Sequence, residues 1–590
     1  MARPPGVVGP HSGTDFSTWW HASGVVNSHT PVDPASVRQS RRYWVQVRSA
    51  AHSDWADSFA YEAVPRNGKG RVYSPWDPPG SDTLPVEVDD GVSHFEAANN
   101  ISMAWSSFLL GVPVDVKILR RDGKSLGTPA EVVIRPTSVR YQLDVAPDGG
   151  IIIRVPAEPR GHKFSVEFSS DLLEYRSDGQ DYVDEPGVGC VVGVEPRHAL
   201  LIFASPFPAA GTEPSPSATD THVMQPGPIN TGDWLSDHPV LYFPPGVYWM
   251  NQAASGAAPK LGESHMKLHA NTSWVHLAPG AYVKGALEFT TANDFRLTGY
   301  GVISGEHYVY QANPKSYYQS VKSDGDSLRM FSHYTVRPGQ AFHCFGPTVA
   351  NPPFNVHDFF GRSEDTSVHI ADYKQVGGYF FQTDGPQLYP HSTMRDVFLH
   401  VNDDAIKAYH SNVSVARAIV WKGHNDPIVQ LGWEPREVAN VTIDGLRVIH
   451  TRYRRDEMGV PSAIIGASPF YDKGGAVQPA KTIRLSISDL VCEGPSPGLL
   501  RITPLQSYRD VHLIGCAFPD GLQQLAGMSR VPAAQGAEAA SVVMQLSIAN
   551  WTIGGTRVTM DNFQSDRLGR LDIDVSYWGQ WSILGDDDDL

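Results

Sequence analysis

Short runs in which hydrophobic and polar positions alternate punctuate residues 36–205: YWVQVRSA, SFLLGVPVDVKIL, IIIRVPAE, KFSVEFSS and HALLIFAS. A period of two places one set of side chains on one face of a strand, and Gly, Pro and Asp separate the runs. This pattern predicts a β-sandwich over residues 1–205. Residues 206–232 follow, with prolines at 206, 208, 214, 216, 226 and 228. Proline removes a backbone donor, so this stretch is expected to form neither regular strand nor helix and to act as a connection. From residue 233 to 590 the pattern changes again. β-Branched segments such as WVHLAPGAYVKGAL, DFRLTGYGVISGE, TSVHIADY, RDVFLHVNDDAI, NVSVARAIVW, NVTIDGLRVIH and TIRLSISDLV recur between polar turns. No stretch there keeps a helical period over twelve residues. Strands that cannot bury a face alone, repeated every few tens of residues, predict a β-solenoid whose rungs share one core. The rival, a β-propeller, would group its strands in fours with a blade signature, which the segments do not do.

Composition supports an all-β chain and narrows its partners. Hydrophobic residues make up 41% of the 590, and the 54 glycines and 46 prolines are spread rather than clustered, as short strands and turns require. The formal charge of −16, from 63 acidic and 47 basic residues, disfavours nucleic acid, anionic membranes and polyanionic substrates. A neutral polymer fits better, and aromatic residues, 10% of the chain, supply flat faces for sugar rings. No apolar run approaches the roughly 18 residues of a membrane span. The first twenty residues lack a signal-peptide core, which suits either a cytosolic protein or a mature form with an added Met. The four cysteines, at 190, 344, 492 and 516, show no CxxC spacing, which argues against zinc. Cys492 and Cys516 lie about one solenoid turn apart, leaving a disulfide and buried thiols as equal alternatives. No metal or other cofactor is expected.

The candidate chemistry sits in VNDDAIKAYHSN, residues 401–412, where Asp403 and Asp404 are adjacent in a strand-like run. A bend or strand end on a solenoid would let both carboxylates leave the core. Asp384 precedes Asp403 by one short rung, so it could stack beside the pair at about the 4.8 Å strand spacing plus any lateral offset. Three carboxylates so close should split into a protonated acid and ionised partners, the pairing that glycosidic hydrolysis uses. Lys407 could balance part of the charge. The next rung, WKGHNDPIVQLGW, brings Trp421, His424, Asn425, Asp426, Gln430 and Trp433, and Tyr389 and Tyr409 flank the acids. Aromatics and amides beside carboxylates suit a carbohydrate groove. Taken singly, each aromatic is more often packing, and Asp pairs also cap turns or bind calcium.

These residues resemble glycoside hydrolase family 49, the dextranase and isopullulanase family, and most of all bacterial dextranases of the Arthrobacter type. The likeness covers nearly the whole chain, through TWWHASGVVNSHTPV, LYFPPGVYW, LAPGAYVKGALEF, LTGYGVISGE and the NDDAIKAYHSN…VWKGHNDPIVQLGW core. It implies an N-terminal β-sandwich followed by a right-handed parallel β-helix. It also implies inverting hydrolysis by three aspartates, with Asp403 as general acid and Asp384 and Asp404 activating water. Inversion needs room for that water, so acid and base are expected roughly 6.5–9.5 Å apart. The expected activity is endo-hydrolysis of α-1,6 links in dextran by a secreted monomer. Pullulan cleavage and a non-catalytic glycan-binding β-helix are the alternatives. A polygalacturonase is disfavoured because the chain contains neither GHG nor RIK.

Overall fold

A computed structural model describes residues 11–12, 15–27, 32–65, 99–177, 182–183, 187–209, 211–230, 237–251, 264–321, 325–423, 425, 427–452, 463–467, 477–494, 499–502, 505–521, 526–527, 542–559 and 580–584. Helix among these residues is limited to single 3-10 turns, none long and apolar enough to cross a membrane. The strands fall into two compact units.

The first unit comprises residues 1–173, 196–363 and 370–380. Its sandwich pairs two sheets. One runs Val132–Arg135, His162–Phe168, His198–Pro206, Ser102–Leu110, Ala60–Ala63, Val37–Gln39 and Gly24–Val26; the other runs Gln142–Val145, Ile151–Val155, Val114–Arg120, Tyr43–Ser49 and Ala56–Ser58. The alternation read from the sequence is visible in Tyr43–Ser49, whose every second residue is buried. Val45, Val47, Val116, Ile118 and Ile153 share a core with Phe108, Phe164, Val166 and Ile202. Ser102–Leu110 is buried at every position because its second face is covered as well. There Trp105 stacks on Tyr61 at 5.1 Å, and Tyr61 stacks on Tyr282 of the solenoid at 5.7 Å.

The solenoid rungs of this unit are parallel. Leu241, Val275, Leu297 and Cys344 occupy one register column, so Cys344 packs as a small hydrophobe within an aliphatic stack. The proline-rich connection holds two strands that the sequence did not suggest, Thr221–Val223 and Gly227–Asn230. Both lie at the end of the ladder, pairing with Val240–Phe243 and Gly246–Asn251, and an edge strand tolerates a proline such as Pro228.

The second unit comprises residues 174–195, 364–369 and 381–590. Parallel strands Thr393–Val401, Ser414–Lys422, Val438–Thr451, Gln478–Ser488, Gln506–Ile514 and Met544–Ala549 form one face. Short strands Ile406–Lys407, Val429–Gln430, Ile465–Ala467 and Leu500–Ile502 form another. Leu399, Val420, Val448 and Cys492 stack in register, which accounts for the buried Cys492 thiol. All four cysteines are reduced, so the Cys492–Cys516 disulfide left open by the spacing is not formed. Burial pushes the Cys516 thiol up to about 12. The units do not divide at the proline-rich connection, because the sandwich and the first rungs share one unit.

Candidate active site

Strand Thr393–Val401 ends in a bend that carries Asp403 and Asp404 to the short strand Ile406–Lys407. Neighbouring rungs hold this bend on both sides. Asn402 N donates to Thr383 O at 3.3 Å, and Gly385 N donates to Asp404 O at 2.8 Å. Gly423 N reaches Val401 O at 2.7 Å, and Asn425 N reaches Asn402 O at 2.9 Å. Gly385 is required by the close approach: a Cβ there would sit 2.1 Å from Ala405 O. Lys422, also buried, donates to the carbonyls of Asn402, Gly423 and Asn425, tying the bend to the following rung.

This scaffold brings Asp384, Asp403 and Asp404 together. All three are buried, and one oxygen from each lies within 4.8 Å of the others. Asp403 Oδ1 accepts from Asp404 N at 2.8 Å, and its Oδ2 accepts from Asn425 Nδ2 at 2.7 Å. Gln430, facing Lys407 across the ladder, donates Nε2 to Asp404 Oδ1 at 3.1 Å. Lys407 places its ammonium against Asp384 Oδ2. Burial alone would pull that ammonium's pKa down; Asp384 first, then Tyr409 and Asp404, more than reverse this and hold it raised. Lys407 is therefore a charge partner of the acids. Three carboxylates could suit a cation, but here an ammonium and two amide N–H donors already face them, a donor set that fits hydrogen-bonded acids better than metal ligands.

The aromatic residues divide. Tyr409 donates its hydroxyl to Gln387 Oε1 at 2.9 Å and meets Trp433 edge-on at 5.3 Å. Trp433 is half-buried and offers surface; Tyr409 and Tyr389 are buried, the latter 5.9 Å from the His410 ring. Trp421, read as a groove residue, is not brought to the carboxylates. It lies in a ladder with His400 and His450 and donates Nε1 to Glu195 Oε2 at 3.0 Å under the 174–195 segment. His424 and Asp426 lie outside the described residues. Sequence reasoning missed Gln387, Asn402, Lys422, His410 and Arg436. Only Lys422, a cation directly after the apolar run Ala418–Trp421, carried a visible signal.

Comparison with known proteins agrees with this architecture. Residues 8–207 match the description "Glycosyl hydrolase family 49 N-terminal Ig-like domain", and residues 474–584 match "Glycosyl hydrolase family 49". Residues 353–385 match a "Beta solenoid repeat from Dextranase", and 421–453 an "Isopullulanase beta-solenoid repeat". A dextranase of Talaromyces minioluteus is 55% identical over 99% of this chain and 96% of its own. An isopullulanase of Aspergillus niger is 34% identical over 95% and 94%. A dextranase of Arthrobacter globiformis is 30% identical over 96% and 90%, so the likeness is stronger to the Talaromyces protein than to the Arthrobacter type expected from the segments alone. Among solved structures, Dex49A from Penicillium minioluteum superposes with a TM-score of 0.92 at 54% identity, covering 98% of this chain and all of that one. Identity at these levels along almost the whole of both partners means that the chain belongs to glycoside hydrolase family 49.

Proposed function

We propose that this chain is an endo-dextranase, hydrolysing internal α-1,6 links of dextran to isomalto-oligosaccharides. The observation that carries the chemistry is the trio of buried carboxylates with oxygens within 4.8 Å. Asp403 gives its proton to the glycosidic oxygen as the bond to the anomeric carbon breaks. Asp384 and Asp404 hold a water on the opposite face of the sugar and take its proton as its oxygen bonds to that carbon, inverting the anomer. Lys407 compensates negative charge at Asp384, Asn425 orients Asp403, and Gln430 orients Asp404. Trp433, with the edges of Tyr409 and Tyr389, supports sugar rings, and the neutral polymer suits a chain of charge −16. The enzyme works as a secreted monomer on extracellular polysaccharide. The 55% identity to a dextranase, against 34% to an isopullulanase, favours dextran over pullulan.

A second reading has one observation in its favour. The nearest oxygens of the three carboxylates lie within 4.8 Å, closer together than the roughly 6.5–9.5 Å between carboxyl groups anticipated for inversion. The retaining route would make one of the three aspartates a nucleophile. Incubation with dextran and pullulan, followed by chromatography and viscometry, tests the substrate: dextran should lose viscosity early and yield short isomalto-oligosaccharides. Isopanose from pullulan with dextran untouched would overturn the dextranase reading.

A further inference from the structure

Beyond Lys407 the same strand leads to a cavity of about 410 Å³ that the carboxylate site does not use. Tyr409, two residues past Lys407 and on the same face, forms one wall, and the chain then turns through His410 and Ser411 into the opening. His410 follows three residues after Lys407, past the end of strand Ile406–Lys407. The opposite wall is the rim 434–437, from the following rung.

The rim is held in place. Gln506 accepts from Arg436 N at 2.7 Å and donates to Arg436 O at 3.1 Å. Lys481 donates to Pro435 O at 3.1 Å, and Glu437 accepts from Thr482 N at 2.8 Å. The Arg436 guanidinium lies 5.4 Å over the Tyr409 ring and 3.4 Å from Glu364, and His410 Nδ1 is 3.2 Å from the same carboxylate. Burial, then Arg436, lowers His410 to about 4, so near neutral pH the ring is uncharged and offers one donor and one acceptor nitrogen. Glu434 stands exposed at the mouth. An aromatic corner with fixed donors and acceptors of both kinds, in a volume within the usual range for ligand sites, suits a polyhydroxylated ring.

We propose that this cavity is an outlying glucose subsite, holding one unit of a long α-glucan chain whose cleaved bond lies at the carboxylates. His410, Glu434 and Arg436 read its hydroxyls against the Tyr409 wall. The proposal rests on the hydrolase reading above and adds to it a reason for preferring long chains. A flexible polymer gains from each further point of attachment, because a unit held far from the cleaved bond restricts the units between.

The test is the gain in kcat/KM from isomaltotriose to isomaltooctaose, measured in wild type, Glu434→Ala and Arg436→Met. Backbone bonds from Gln506 to residue 436 do not depend on its side chain, so the rim should survive. The expected result is a gain reduced about five- to tenfold in each variant, through KM, the worth of one or two hydrogen bonds. An unchanged gain, or an equal loss on both substrates, would overturn the subsite. Calorimetric binding of isomaltooctaose to an Asp403→Asn background, with and without Arg436→Met, gives an answer independent of cleavage. Weaker binding with Arg436→Met supports the subsite even if wild type hydrolyses neither sugar, and equal affinity rejects it.

Discussion

Lys407→Met removes the ammonium beside Asp384 while keeping a side chain of similar length, and its consequence can be worked from the site geometry. Two unit charges at 4.8 Å, the outer limit for the nearest carboxylate oxygens, repel by about 3.5 kcal/mol in surroundings of effective dielectric near 20. In wild type the ammonium offsets this repulsion. In the variant a carboxylate should retain its proton to higher pH, and a carboxylate needed as base is then unavailable. The acidic limb of kcat/KM should move up by about one to two units, and turnover at pH 5–6 should fall by up to about ten- to a hundredfold. Stability should respond in the same sense. Breaking a buried pair costs about 3–5 kcal/mol when the remaining charge stays, but less once a proton neutralises it. The variant's deficit should therefore grow as pH rises. In wild type the raised Lys407 pKa keeps its contribution fully present below the unfolded lysine value near 10.4, so Lys407 itself adds no slope between pH 4 and 9. Reducing-end assays on dextran from pH 4 to 9, with urea unfolding at the same points, measure both effects. A Lys407→Met enzyme with the wild-type pH profile and turnover within about threefold would refute the charge argument.

Asp403→Asn keeps shape but cannot donate a carboxylic proton; turnover should drop about 10²–10⁴-fold with the circular dichroism and melting curve unchanged, and retention of more than a tenth of wild-type rate would remove Asp403 from the role. Proton NMR of the first product from dextran should show the β-anomer; α product would establish the retaining route suggested by the close carboxylates. Burial lowers His21 to about 3, His276 to about 4 and His410 to about 4, with Lys284 adding to the first and Arg436 to the last. Below pH 6.5 the unfolded chain takes up these protons while the native one does not, so stability should fall as pH drops from 6.5 towards 4, by at most roughly 3 kcal/mol per histidine. His276→Gln, which keeps a polar side chain near Thr298, should flatten that slope in urea midpoints; an unaltered slope would mean that His276 is not titrating as described.

The parts of this molecule legible in its sequence were those fixed by local geometry. Alternation in Tyr43–Ser49 and the β-branched rungs follow from the two-residue period of a strand, which any chain with one buried face must display. The aspartates were legible for a related reason: adjacency of Asp403 and Asp404, with Asp384 one rung away, constrains their meeting once the solenoid is granted. What failed depended on distant segments. Whether Trp421 at a strand end faces a groove or a cover is decided by Glu195, 226 residues earlier. The cavity beyond Tyr409 needs residues from five stretches, around 364, 390, 410, 436 and 481, and none of them is unusual where it stands. The strands of the proline-rich stretch were missed because propensity penalises proline for a lost donor, and at a ladder edge that donor has no partner to lose.

The same contrast governs where the protein divides. Composition marks residues 206–232 as a connection, yet the sandwich and the first rungs form one unit. Buried charges explain why. Lys163, on a sandwich strand, lies 2.6 Å from Asp372 of the solenoid, with Lys374 at 3.6 Å from the same carboxylate. Burial lowers Lys374 to about 8 although Asp372 opposes the shift. In the other direction, Lys284 on a solenoid strand pairs with Glu306 at 3.3 Å and donates to the backbone oxygens of Asp33 and Ser36 in the sandwich. Each element thus completes the electrostatics of the other. Separating the sandwich from these rungs would leave Asp372 with Lys374 alone and Lys284 with Glu306 but without its backbone acceptors, so each buried charge would be less fully compensated. Proline content locates the covalent connection. Buried charges with partners on both sides of it hold the sandwich and the first rungs together in one unit.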